Sequence, residues 1–570
     1  MVYILINSKC LSPKHGRKQV VKQYSHNLNK PMKTVYLVKT ALAIFVAMSI
    51  TLDVCSLNKE LSISPLRFAG IHALSNHQGE SDAYLVIETA PGHSWNYTLL
   101  DTELNTIKTG NIQTPNHSFF NGLVYNGEYT LLNFIVNAFS QSSTYVVLDK
   151  DGHEVARETR TDLSNLRRGE QFYPAIYPYS GNGFIIVQST GRARDAGYTL
   201  EHVDHNLQVL MNLEFSHPDA QIFVYDMVSA NKRLYVLEAS ERRGRTLNVR
   251  LQCIDLKNQH LLYTKELSDT QNSYFPTAIL PGEDNTLAMA GTYFSGDRIR
   301  GGDTRGLFFM HLTEEGITAG MDIHPWRELR RTLRTPVPDW FFRVMPDVHI
   351  HAIERSADGN FLAVAELYRY SGEVRQEDRN GKKEQYHRIR MLDFMLFGFD
   401  QKGQILYTER IERPHMVLKL DSEITGGSSS LAHQAGQGPL NRARAMKKGH
   451  AFTYRFYQKN DDQLNLAFMS YENKTHYAYM MDITGNYHAQ KVSLRHAKPA
   501  FISYIQIIDL CTNQSGFGFT LAELNTRSFD DSEIFWRGIM PGKKGSMLTY
   551  EFMPLNGQLQ LNVVRFQESI

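Results

Sequence analysis

The sequence predicts an all-β fold, a β-propeller of about eight four-stranded blades in a single domain with loop insertions; seven blades is the alternative. Three observations lead there. The stretch NTLAMAGTYFSGD from Asn285 is echoed by NFLAVAELYRYSGE from Asn360, with Asn-x-Leu-Ala-x-Ala, a Tyr and a Ser-Gly-acid ending in common. Alternating apolar runs close on a short polar turn at eight places. Each interval between those turns holds four runs of period two, the period at which successive side chains point to opposite faces of a strand.

Taken in chain order, the first feature is a leader. From Met32 the chain reads MKTVYLVKTALAIFVAMSITLDVCS, with Lys33 and Lys39 ahead of an apolar stretch from Ala41 to Leu52. That order is the profile of a signal peptide, and about a dozen apolar residues fall short of the roughly 20 that a bilayer-spanning helix needs. Residues 32–56 are therefore expected to be removed after Ser56, leaving no transmembrane span in the mature chain and placing it outside the cytoplasm. A lipid anchor at Cys55 competes, but Asp53 and Val54 stand where small residues are wanted. Residues 1–31 are polar and basic and would misplace such a leader, so they are read as an upstream extension with Met32 as the start.

Removing residues 1–56 takes away eight Lys/Arg and one Asp, so 61 basic against 59 acidic residues becomes 53 against 58. A mildly acidic body argues against a nucleic-acid partner. Cys253 and Cys511 alone remain of four cysteines, which excludes a disulfide framework and a cysteine zinc site.

The eight turns follow YTLLDTELN, YVVLDKDG, LEHVDHN, LQCIDLKN, FMHLTEEG, LFGFDQKG, AYMMDITG and YEFMPLNG, closing at Asn105, Gly152, Asn206, Asn258, Gly316, Gly403, Gly485 and Gly557. Six open with Asp, at 101, 149, 204, 255, 400 and 482. Gly and Asn accept positive φ and Asp caps a turn, so these read as hairpins. Spacings of 47, 54, 52, 58, 87, 82 and 72 residues are repeat lengths, and radial repetition buries faces that no unit could bury alone.

Unit five shows its four strands as SYFPTAIL, TLAMAGTYFS, GLFFMHL and ITAGMDI, and unit six as VHIHAIE, FLAVAELYRY, MLDFMLFGF and QILYTERI. The two echoing phrases are thus second strands of neighbouring blades. Units five to seven are lengthened by insertions. HPWRELRRTLRTPVPDW (324–340) predicts a short helix after Pro325 with Trp326, Leu329 and Leu333 on one side. SGEVRQEDRNGKKEQYHR (371–388) is a charged excursion, and TGGSSSLAHQAGQG (425–438) is a flexible linker by composition. The propeller is expected to span 65–566.

The stretch DNTLAMAGTYFSGDRIRGGDTRGLFFMHLTEEG resembles the repeat of secreted bacterial β-propeller proteins, in which an Ala-Gly strand, a Ser-Gly turn and an Asp-x-x-Gly before an apolar strand recur. SADGNFLAVA from Ser356 is similar to the strand opening of another propeller repeat. The resemblance implies a propeller in an extracytoplasmic setting and supplies no active site.

Two constellations could carry chemistry. DVHIH puts Asp347, His349 and His351 at alternate positions of one strand, a set able to hold a divalent metal; the same side chains suit a strand lining a water-filled channel, and that reading is taken, so no metal and no cofactor is expected. Aromatics crowd the first strands (Phe119, Phe120, Phe172, Tyr173, Tyr274, Phe275, Phe341, Phe342, Tyr454, Phe456) and are read as packing between blades rather than as sugar platforms. No glycine-rich phosphate loop is present.

Charge sorts by face. In a four-stranded blade the link between strands two and three and the link to the next blade share one face, while the two remaining hairpins share the other. The first set holds Arg192, Arg194, Arg242, Arg243, Arg245, Arg298, Arg300 and Arg305, with Arg167, Arg168, Arg327, Arg330, Arg331 and Arg334 between blades; the second reads HQGESD, DTELN, DKDGHE, GEDN and TEEG. Guanidinium groups suit carboxylate, sulfate or phosphate. The expectation is an exported binding or scaffold propeller with an anionic ligand, an acidic glycan or a protein, on its arginine-rich face. Alternatives are a lyase or hydrolase of an acidic polysaccharide using His349, His351 or Tyr274, and a protein-interaction module.

Overall fold

Four of the predicted turns share one geometry. The Oδ1 of Asp101, Asp149, Asp204 and Asp400 each accepts the backbone N–H groups two and four residues on, at 2.7–3.0 Å. The residue three on is left-handed: Leu104 (φ 62), Gly152 (φ 80), Leu207 (φ 63) and Gly403 (φ 92). Asn105 and Asn206, expected to supply the positive φ, flank that position instead, and in the turn at Asp255 it is Gln259 (φ 59) rather than Asn258. A left-handed non-glycine residue costs about 1–2 kcal/mol, and burying a leucine offers about 1.5–3 kcal/mol. Leu104 and Leu207 are both buried, which accounts for their presence there.

These turns close the blades of an eight-bladed β-propeller. The computed structural model describes residues 57–565, leaving out 162–174, 333–345, 422–442, 495–535 and shorter link segments. Its strands form eight antiparallel sheets. Blades one to seven follow in chain order as 68–113, 118–161, 175–215, 220–266, 272–325, 347–421 and 454–494. The eighth holds Trp536–Pro541, Ser546–Met553 and Gln558–Arg565, and its fourth strand is Leu57–Ser62 from the other end of the chain. That strand pairs antiparallel with the last, from Leu57 opposite Val563 to Ser62 opposite Gln558. The propeller thus starts ahead of the expected Pro65. The turn at Gly557 consequently joins the second and third strands of its blade, on the face opposite to the other closing turns. Gly485 lies outside the described residues.

Between blades the apolar faces meet in eight separate cores, one per seam, and a ninth lies beside blade six. These cores correct the alignment of the echoing phrases. The two phrases are indeed second strands, Leu287–Ser295 in blade five and Phe361–Glu377 in blade six. Yet Ala288 and Ala290 lie in the same core as Ala363 and Ala365, so these pairs face each other across one seam and occupy opposite faces of their own blades. Turn geometry gives the same answer, because left-handed Asn285 corresponds to Gly359 and not to Asn360. A slip of one residue exchanges the two faces of a strand.

Two features position the sites. First, the innermost strands of six blades carry a bulge, at Ala69, Asn121, Tyr225, Thr277, His351 and Arg455. Second, the predicted charged excursion is regular: in blade six the second and third strands run on to 17 residues each, Phe361–Glu377 and Lys383–Phe399. Met416–Asp421 pairs with the extended third strand from Met391 to Tyr386, making a three-stranded arm beyond the blade. The predicted helix forms at Trp326–Thr332 and buries Leu329 between blades five and six; Leu333 and the linker 425–438 lie outside the described residues.

Candidate functional site

The strand DVHIH is the first strand of blade six, Asp347–Arg355. The bulge at His351 breaks strict alternation, yet His349 and His351 still reach the same neighbour. Their rings lie 4.8 Å apart, and both contact Phe452, His349 stacked at 4.5 Å and His351 edge-on at 4.8 Å. His351 also stacks on Tyr454 at 4.3 Å. Among the described residues no group of three His, Cys, Asp or Glu side chains is arranged to hold a metal ion.

What His351 meets is Glu366, a fully buried carboxylate on the second strand of the same blade, at 3.2 Å. Glu366 accepts from Arg413 Nη2 at 2.6 Å, from Thr453 Oγ1 at 2.6 Å, and from the backbone N–H groups of Thr453 and Tyr454 at 3.1–3.2 Å. Arg413 in turn donates to the Leu392 carbonyl and to Thr453 Oγ1, lies 4.5 Å over the ring of Phe394, and donates its backbone N–H to Asp393 Oδ1 at 3.3 Å. Asp393 also accepts from Arg410 Nε at 2.7 Å and pairs with His415 at 3.1 Å. Burial by itself would raise the Glu366 carboxyl; the Arg413 guanidinium, with His351, outweighs it and holds Glu366 well below the ordinary carboxylate range. The cluster ties the chain entering and leaving the 412–453 insertion to the seam between blades six and seven. A second buried carboxylate, Glu238 in blade four, pairs with Arg250 and accepts from Gln252 at 2.9 Å and across the seam from Tyr198 at 3.0 Å.

Sequence reading missed Glu366 and Arg413. A charged residue inside the apolar run FLAVAELY was the available signal. Its partners stand 47 and 87 positions further on, beyond the reach of any local pattern.

The aromatics of the first strands that are described face their neighbours: Phe120 meets His72, Trp95 and Phe134, and Phe275 meets Tyr225. Tyr274 is buried and donates its hydroxyl to Asp269. Phe172, Tyr173, Phe341 and Phe342 lie outside the described residues.

Of the predicted arginines, Arg298 and Arg305 stand in the link between strands two and three of blade five, and Arg327, Arg330 and Arg331 on the helix leading to blade six. All five are on the predicted face. The Arg298 side chain is 37% exposed and that of Arg327 86%, and among the described residues the acid each pairs with is its sequence neighbour, at 3.8 and 3.9 Å; Arg305 is exposed and donates to Ser295 Oγ at 3.1 Å. Arg242 ends the second strand of blade four. Arg192, Arg194, Arg243, Arg245 and Arg300, with Arg167, Arg168 and Arg334, lie outside the described residues.

The architecture defines the chain as an eight-bladed β-propeller whose ring is closed by pairing of its first and last described strands. Residues 95–495 match the model of a family of unknown function, DUF6770, and the chain belongs to that family. No curated protein matches it. Similar solved structures include a quinohemoprotein alcohol dehydrogenase from Pseudomonas putida HK5, at 7% identity and TM-score 0.37 over 91% of this chain and 79% of that one. Another is a eukaryotic initiation factor, at 7% identity and TM-score 0.33 over 83% and 95% of the two chains. A third is the β-propeller domain of the Trilobed protease from Pyrococcus furiosus, at 6% identity and TM-score 0.32 over 79% and 98%. Likenesses of this order carry no argument about activity.

Proposed function

We propose that the protein is an exported binding propeller that holds an anionic ligand, an acidic glycan, on its arginine-bearing face. The observation that carries this reading is the exposure of Arg305, Arg327 and Arg331, with Arg298 partly exposed, on the face opposite the Asp-capped turns. Guanidinium groups gathered over one end of a net-acidic body focus a positive potential there. Burial supports binding over catalysis: His349, His351 and Tyr274, the side chains best suited to catalysis, are committed to internal contacts. Export rests on the leader from Met32.

The test is titration of purified protein with a labelled sulfated or uronic-acid oligosaccharide over a range of salt. Replacing Arg298, Arg305 and Arg327 with Ala is expected to weaken binding by about tenfold at low salt, where exposed charges are least screened. Binding that ignores both the substitutions and the salt, or that takes only neutral oligosaccharides, rejects the reading.

A further inference from the structure

The arm of blade six carries arginines that belong to none of the inter-blade links. Arg369 on its second strand stands directly opposite Arg390 on its third, and Arg388 follows two residues from Arg390, on the same face. All three are exposed. None has an ion-pair partner among the described residues. Like charges placed directly opposite on a sheet repel, so the arrangement is unfavourable for the arm by itself and becomes favourable when an anion lies across it.

Alternation fixes where this plate faces. Leu367 and Leu392, each two positions from an arginine of the plate, are buried in the core between blades five and six together with Leu329 of the helix. Arg369, Arg388 and Arg390 therefore face the same seam, on the side of blade five. The opposite face of the arm is apolar: Tyr368, Ile389 and Met391 pack with Met446 and Phe452. The nine residues after Tyr368 carry the second strand roughly 30 Å onward at about 3.3 Å per residue, from the same end of the blade that bears Arg298, Arg305 and Arg327.

We infer that the arm and the blade-five side chains Arg298, Arg305 and Arg327 flank a groove for an acidic polysaccharide, with Arg369, Arg388 and Arg390 as its main anion contacts. This rests on the proposed glycan-binding reading and adds the place and the polymeric nature of the ligand. The backbone positions that carry these guanidiniums are about 5 Å apart across the strands and about 7 Å apart along one strand, a spacing that suits a chain bearing one charge per sugar. Duplex nucleic acid carries one charge per about 1.7 Å and would bring that density against a body with 53 basic and 58 acidic residues after position 56.

The experiment compares the parent, the arm variant R369Q/R388Q/R390Q and the link variant R298A/R305A/R327A. Each is titrated with a labelled uronic-acid oligosaccharide and with a duplex DNA of equal total charge, after a thermal melt verifies that the variants fold. The arm variant is expected to bind the oligosaccharide at least about tenfold more weakly at low salt. Its plot of log affinity against log salt should be shallower by about 2, at roughly 0.7 per charge for a single-stranded polyanion. If the parent binds while the arm variant binds as the parent does, the groove is overturned and the broader reading stands. Failure of the parent to bind the oligosaccharide overturns both. Tighter binding of the duplex than of the oligosaccharide overturns the choice of polymer.

Discussion

Replacing Glu366 with Gln keeps the shape of the side chain and removes its charge, and the result is calculable from what surrounds it. The Arg413 side chain is 2% exposed and has Glu366 as its carboxylate at 2.6 Å. Removing one partner of a buried ion pair costs about 3–5 kcal/mol, because the other charge stays buried and uncompensated. Gln also presents an N–H group where one carboxylate oxygen now accepts from Thr453 or Tyr454. Denaturant unfolding should show the loss as a lower midpoint. Hydrogen exchange at the amides of Thr453 and Tyr454 should speed up by roughly two to three and a half orders of magnitude, at about 1.4 kcal/mol per factor of ten. The pH dependence has a definite sign. The folded-state pKa of Glu366 is depressed, so its contribution is complete above the ordinary carboxylate range and is lost as pH falls through the folded value; E366Q should lack that acid-side loss. The double variant E366L/R413M, which removes both charges, should recover the part of the loss that comes from the uncompensated guanidinium but not the part from the Thr453 and Tyr454 amides, which stay without their acceptor. An unchanged midpoint and unchanged exchange in E366Q would refute the reasoning.

Two further outcomes are expected. At Gly291 an added Cβ would lie 2.0 Å from the Phe275 carbonyl oxygen and 2.8 Å from Pro276 Cα; Gly291→Ala should destabilise by about 1–3 kcal/mol, as overpacking does, read as a lower thermal midpoint. A chain starting at Leu57 keeps the closing strand, whereas one starting at Pro65 loses its six backbone pairings with the last strand; the first should melt as the longer chain does and the second several degrees lower, and equal melting of the two would show that closure adds nothing.

How much of this the sequence disclosed depends on the range of the interaction. Strands and turns are local, and Asp101, Asp149, Asp204 and Asp400 signal their turns within five residues. The closing strand LNKELS lacks a strong apolar alternation and pairs with residues some 500 positions away, so the turn at Gly557 reads as a closing turn although it joins the second and third strands of the last blade. Register failed for a different reason. The Asn-x-Leu-Ala-x-Ala match is real as text, but Asn285 takes the left-handed position that Gly359 takes in the next blade, and residue identity cannot distinguish this from alignment with Asn360. The arginine plate was hidden in the same way: Arg369, Arg388 and Arg390 become neighbours only once the long hairpin has its register.

The two faces of the disc also differ in how their charges are used. On the face of the closing turns the carboxylates are part of the fold. Asp101, Asp149, Asp204, Asp255 and Asp400 each take up backbone N–H groups of their own turn, and Glu314 pairs with Arg233 of the neighbouring blade. Removing such a carboxylate leaves turn amides without their acceptor. On the other face, among the described residues, Arg298 and Arg327 pair with the acid beside them in sequence, and such surface pairs contribute about 0–1 kcal/mol. Folding therefore accounts for the acidic turns and leaves the arginines without a comparable structural reason. Selection for solubility would be served by either sign of charge on either face. On the proposed reading, the guanidinium groups at one end, on links and arm alike, are there because that face meets an anion.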